Sequence, residues 1–74
     1  MRLTVNNIAY INEVHLKDGR IHVFVMLKNY ALGDSKYYEC TNNLPKTVLK
    51  FMATHEKTLL SKSEKLDNVK YQYQ

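Results

Sequence analysis

Two histidines, His15 and His22, flank the turn sequence Lys17-Asp18-Gly19-Arg20. Placed opposite one another on a hairpin, two imidazoles reach a single metal ion. Zinc usually asks for three protein ligands in a catalytic site and four in a structural one. Glu13 shares their strand face, and Cys40 is the other nearby donor. That set is thin, and the pattern favours half-exposed polar strand residues over a metal centre or a pH-sensitive histidine pair. His55 falls within an apolar helical stripe, where a buried general base is the sharp reading. No serine or second cysteine stands placed to serve it as nucleophile, so a satisfied histidine at the core margin is expected.

The acidic residues mark out no catalytic pair. Asp18 and Asp34 sit in turn sequences, where the side chain stabilises the bend, and Glu56 has lysines for neighbours. Gly19 and Gly33 are the only glycines, and both serve turns, so no phosphate-cradling loop exists. Cys40 is the single cysteine, which excludes an intramolecular disulfide. The chain is expected not to be an enzyme and to need no cofactor, metal or small-molecule substrate.

Binding chemistry is better represented. Lys46, Lys50 and Lys57 fall close to one line of a helix, continued by Lys62 and Lys65, a spacing able to follow a phosphate backbone. Tyr37, Tyr38, Phe24, Lys28 and Lys36 mix aromatic and basic groups, as single-strand binders do on sheet faces. A third option is an apolar surface patch built from Phe24, Met26, Ile11 and Tyr38, residue types typical of protein interfaces.

These residues need elements to position them. Ile8 to Leu16 reads as a strand, and Asp18-Gly19 as a two-residue turn into Ile21–Leu27, a strand apolar on both faces. In that register Val14 faces Val23 and Asn12 faces Val25 on the core side. Ile11, Phe24, Met26, His15 and His22 then share the second face. Asn29 to Asp34 is a loop, and Ser35 to Thr41 a third strand. Met1 to Val5 adds a short strand or extends the first one past Asn6-Asn7. Asn42 or Asn43 caps a helix with Pro45 in its first turn, and the helix runs to about Leu60. Its stripe of Leu44, Val48, Phe51, Met52, His55 and Leu59 meets the core face. Val69 to Gln74 alternates, as a final strand or a frayed tail that could fold over the second face.

The 74 residues make one domain, too small to bury much surface alone. No apolar run approaches the length a membrane helix needs, and the N-terminus meets polar residues too early for a signal peptide. A cytoplasmic protein is expected, in the host cytoplasm if phage-encoded. The formal charge is +4, with nine lysines against two arginines. Lysine-rich surfaces attract polyanions without the bidentate readout that arginine gives to bases. The abundance of Lys, Asn and Tyr resembles small accessory proteins of low-GC bacteria and their phages.

The expected fold is α+β: an antiparallel sheet of three or four strands, begun by an N-terminal hairpin, with one amphipathic helix on one face. The expected function is a non-enzymatic interaction module, of the phage or mobile-element regulator kind. It binds a partner protein or self-associates as a homodimer through Ile11, Phe24, Met26 and Tyr38. The alternative is a nucleic-acid-binding module using Lys46, Lys50 and Lys57 or the basic rim of the sheet. No membrane partner is expected.

Overall fold

The computed structural model describes residues 3–28, 35–39, 41–63 and 68–74. Strands β1 (Ile8–His15), β2 (Ile21–Leu27) and β3 (Ser35–Tyr38) precede one helix, α1 (Lys46–Thr54); β4 (Lys57–Ser63) and β5 (Asn68–Tyr73) follow it. All neighbours pair antiparallel, in the order β3-β2-β1-β5-β4. The α+β class holds, with five strands where three or four were expected. Among the described residues no helix is long and apolar enough to cross a membrane.

The first hairpin turns on three residues rather than two. Leu16 N–H donates to the Arg20 carbonyl at 2.8 Å, and Gly19 N–H donates to the Leu16 carbonyl at 3.1 Å. Gly19 has φ +91°, the left-handed residue that closes a three-residue loop in a bulge. Asp18 braces the turn: it accepts from Arg20 N–H at 3.1 Å and from the Arg20 guanidinium at 2.6 Å.

The extra loop residue slips the expected register by one. Val14 faces His22 and Glu13 faces Val23. Strand side chains alternate, so the slip turns the β1 side chains from Tyr10 to His15 to the other face relative to β2. Ile11 therefore lies in the core at 0% exposure, not on the second face. His15 and His22 part to opposite faces. A second irregularity lies between Ile8 and Tyr10, where Ala9 is the extra residue. It lets Ile8 and Ile11, an odd spacing for a strand, both point inward.

Helix α1 presents Val48 and Phe51 to Ile8, Ile11, Val23, Val25 and Leu27, with Leu44 and Tyr73 completing the core. Its N-cap is Pro45, which has no side chain able to cap, so neither asparagine takes that role. The helix stops at Thr54, short of Leu60. Its last backbone bond is His55 N–H to Phe51 O at 3.1 Å; the end is reinforced by Thr54 Oγ1, which donates to Lys50 O at 2.9 Å, and by His55 Nδ1, which donates to Phe51 O at 2.8 Å. The His55 ring stacks on Phe51 at 3.7 Å. His55 itself is extended, at φ −114° and ψ 152°, and the helix goes no further. Beyond it Lys57–Ser63 joins the sheet, and Leu59, expected in the core, is 57% exposed.

The chain's last strand is not a tail. β5 inserts between β1 and β4, with Tyr73 opposite Ile11 and Tyr71 opposite Glu13. Both tyrosines point to the helix side, away from the face they were expected to cover. The third strand ends at Tyr38, and Val5–Asn7 forms a 3-10 helix rather than a strand. Met1, the Asn29–Asp34 loop, Cys40 and Lys65 lie outside the described residues.

Candidate functional site

The face opposite the helix carries no covering element among the described residues. Register sets its side chains in rows across the strands. One row runs through all five strands as Tyr37, Phe24, Asn12, Gln72 and Thr58. A second holds His22, Val14, Lys70 and Ser61, and a third holds Ser35, Met26 and Tyr10. At ~4.8 Å per strand the long row spans about 19 Å.

The rows differ in chemistry from one edge to the other. Toward β3 they are aromatic: Phe24 and Tyr37 lie 5.0 Å apart between ring centroids, and His22 meets Tyr37 edge-on at 5.3 Å. Tyr37 is 51% exposed, so its ring is available to a partner. His22 Nε2 is shielded from solvent and has no hydrogen-bond partner. Toward β4 the rows are polar. Gln72 Nε2 donates to Asn12 Oδ1 at 3.0 Å, an amide pair bridging β5 and β1. No position in the three rows is acidic.

The expected interface residues divide between two faces. Phe24 and Met26 stand on this open face, whereas Ile11 is core and Tyr38 packs against the core from the helix side, opposite Val23. Tyr10, Val14 and Gln72 were missed. The lost signal was Ile8 and Ile11: two isoleucines three apart, both inward, require the slipped register that brings Val14 out. The lysine line also dissolves. Lys46 and Lys50 are exposed on α1, but Lys57 belongs to β4.

Lys57 instead joins a polar cluster on the helix side. Glu13 is 4% exposed and accepts from Tyr73 OH at 2.9 Å, Lys57 Nζ at 3.3 Å and His15 Nε2. Lys57 Nζ also lies 4.2 Å from the Tyr71 ring centroid. Burial pulls the Glu13 pKa up, but the hydrogen bonds from His15 and Tyr73 and the Lys57 charge outweigh it, and the net value is lowered. Burial, then the Glu13 carboxylate, raises Tyr73. Burial pulls Lys57 down, and Tyr73 and Glu13 more than reverse it. An ionised carboxylate held by three donors is a poor general base, and its evident work is to tie β1 to β5 and β4. Among the described residues no group of three or more His, Cys, Asp or Glu could hold a metal ion.

A groove of ≈ 760 Å³ borders the β3 edge between Arg20, Ile21, Tyr38 and Asn43. Arg20 there is engaged by Asp18 at 2.6 Å and Glu39 at 3.7 Å, so the groove offers no uncommitted cation of its own. Comparison with protein-family models, curated proteins and solved structures finds no match for this chain.

Proposed function

We propose that this chain is a non-enzymatic docking module that holds a macromolecular partner on the open face of its sheet. One observation carries the reading: β5, the segment able to cover that face, is instead a strand within the sheet. The face keeps aromatic and aliphatic side chains at its β3 side and hydrogen-bonding groups at its β4 side. A sheet with a helix on one side commonly solvates the other with polar residues. Phe24, Met26, Val14 and Tyr37 depart from that pattern together, in adjacent rows, which is the mark of a contact surface.

Site-directed photocrosslinking tests it. Tyr37 on the open face is 51% exposed and Leu49 on the helix exterior is 49% exposed, so a photoreactive residue at either meets solvent equally. In the cell that makes the protein, the probe at Tyr37 is expected to yield discrete adducts and the probe at Leu49 none. Equal adduct patterns from both positions would remove the open face as the docking surface.

A further inference from the structure

We infer that the occupant of the open face is single-stranded nucleic acid, its bases stacked on the aromatic side of the sheet and its phosphates drawn by Lys70 and the adjoining Lys28. This rests on the docking reading above and names its partner.

Charge is the first argument. The three rows hold no described acidic residue: Glu13 is buried on the helix side, Asp18 holds Arg20 in the turn, and Glu39 and Glu56 lie just past the row ends, after β3 and before β4. Lys70 stands exposed in the second row, and Lys28 is exposed just past the end of β2, two residues after Met26. Rows with an exposed lysine and, among the described residues, no carboxylate, on a chain of net charge +4, complement a polyanion. A second copy of the face brings no carboxylate within its rows to pair with Lys70.

The aromatic and polar rows supply the second argument. An exposed tyrosine beside a phenylalanine and a histidine offers π surface to unstacked bases, which bind such platforms with little sequence preference. Asn12, Gln72 and Thr58 continue the Tyr37–Phe24 row as hydrogen-bonding groups within reach of base edges. The buried centre of a protein interface is more apolar than a row that sets Asn12, Gln72 and Thr58 beside Phe24. A duplex hides its base faces, and the chain has only two arginines to read grooves. The row length of about 19 Å accommodates about two or three stacked bases, the load of comparable sheet platforms.

Fluorescence anisotropy with oligothymidylate and oligouridylate of about 15 nucleotides, and with a duplex of equal length, tests the inference. The single strands are expected to bind, and to bind more tightly than the duplex. Tyr37→Ala should weaken that binding about tenfold, the loss of one stacked base. Lys70→Glu should weaken it and flatten the dependence on salt by about one phosphate contact. Lys46→Glu with Lys50→Glu, on the helix, should change the single-strand preference little. Circular dichroism checks that each variant is folded, and Lys70, being exposed, serves if Tyr37→Ala is not. Absence of saturable single-strand binding at low salt, tighter binding of the duplex, or equal loss from the helix variants overturns the inference. If it falls while the Tyr37 crosslinks persist after nuclease treatment, the docking reading survives with a protein or a second copy as occupant. If the Tyr37 crosslinks are also no different from those at Leu49, both fall.

Discussion

At the scale of single residues, the most consequential side chain is Glu13. A charge at 4% exposure is tolerated because His15, Lys57 and Tyr73 all donate to it. Its folded pKa lies below the unfolded value of about 4.3. A lowered carboxylate pKa contributes stability that is complete above the unfolded value and is lost as pH falls through the folded one. Glu13→Gln is therefore expected to cost about 2–3 kcal/mol at neutral pH. The gap should narrow as pH falls to about 3. Urea unfolding of both proteins across that range checks it, and parallel stability curves would show that the carboxylate charge does no such work. Gly19 makes a smaller, purely backbone demand. A Cβ there meets nothing within 4 Å, so Gly19→Ala pays only for φ +91° and should cost about 1 kcal/mol. Asn at the same position should recover part of that loss. His22 presents the reverse case, a shielded nitrogen with no partner. His22→Phe removes the unpaired atom and keeps a ring beside Tyr37, so thermal unfolding should show it neutral or stabilised by about 1 kcal/mol.

At the scale of elements, the turn decided how much of the site was legible beforehand. The hairpin, its strands, the helix start near Pro45 and the apolar face of Val23, Val25 and Leu27 all follow from local pattern. Asp-Gly, however, serves both a two-residue turn and the last positions of a three-residue one, and only Gly19 takes a left-handed conformation here. That ambiguity of one residue moved Ile11 from the surface to the core and Val14 from the core to the surface. The helix end was hidden for a different reason: Lys57 to Ser63 contains no glycine or proline, and its strand state depends on β5, which pairs with it from further along the chain. The extra turn residue and the one-residue irregularity of β1 can be told apart by deletion. Removing Lys17 leaves Asp18-Gly19 as a two-residue loop between Leu16 and Arg20, which keeps the observed pairing, so the cost should stay near about 1 kcal/mol. Removing Ala9 turns Ile8 out of the core and should cost about 2–4 kcal/mol. Chemical denaturation gives the ranking, and the opposite order would mean that the turn rather than the bulge pins the register.

At the scale of the whole molecule, cohesion is uneven across the sheet. Every buried apolar residue in the core cluster comes from β1, β2, β5 or the segment from Leu44 to Phe51, and β4 contributes none. Residues 57–62 are exposed throughout, with Leu59 and Leu60 among them. β4 is thus held mainly by its ladder to β5, extended by Gln74 N–H to Glu56 O at 3.2 Å, and by Lys57 reaching Glu13. A ladder with little apolar burial opens at lower free energy than the core strands. Native-state hydrogen exchange should therefore show two tiers. Amides of Ile11, Val23 and Val25 should exchange only through global unfolding. Those of β4 that bond to β5 should exchange at least about 100-fold faster, corresponding to an opening about 2.7 kcal/mol cheaper. β5 itself, with Tyr73 in the core and β1 beside it, belongs to the protected tier. The stacking side of the open face is built on β3, β2 and β1, with Lys70 on β5, so it stays in place while β4 opens, and single-strand binding should survive a β4 substitution such as Leu60→Ser. Uniform protection across all five strands would show instead that the sheet opens as one unit, with β4 as integral to the docking face as β1.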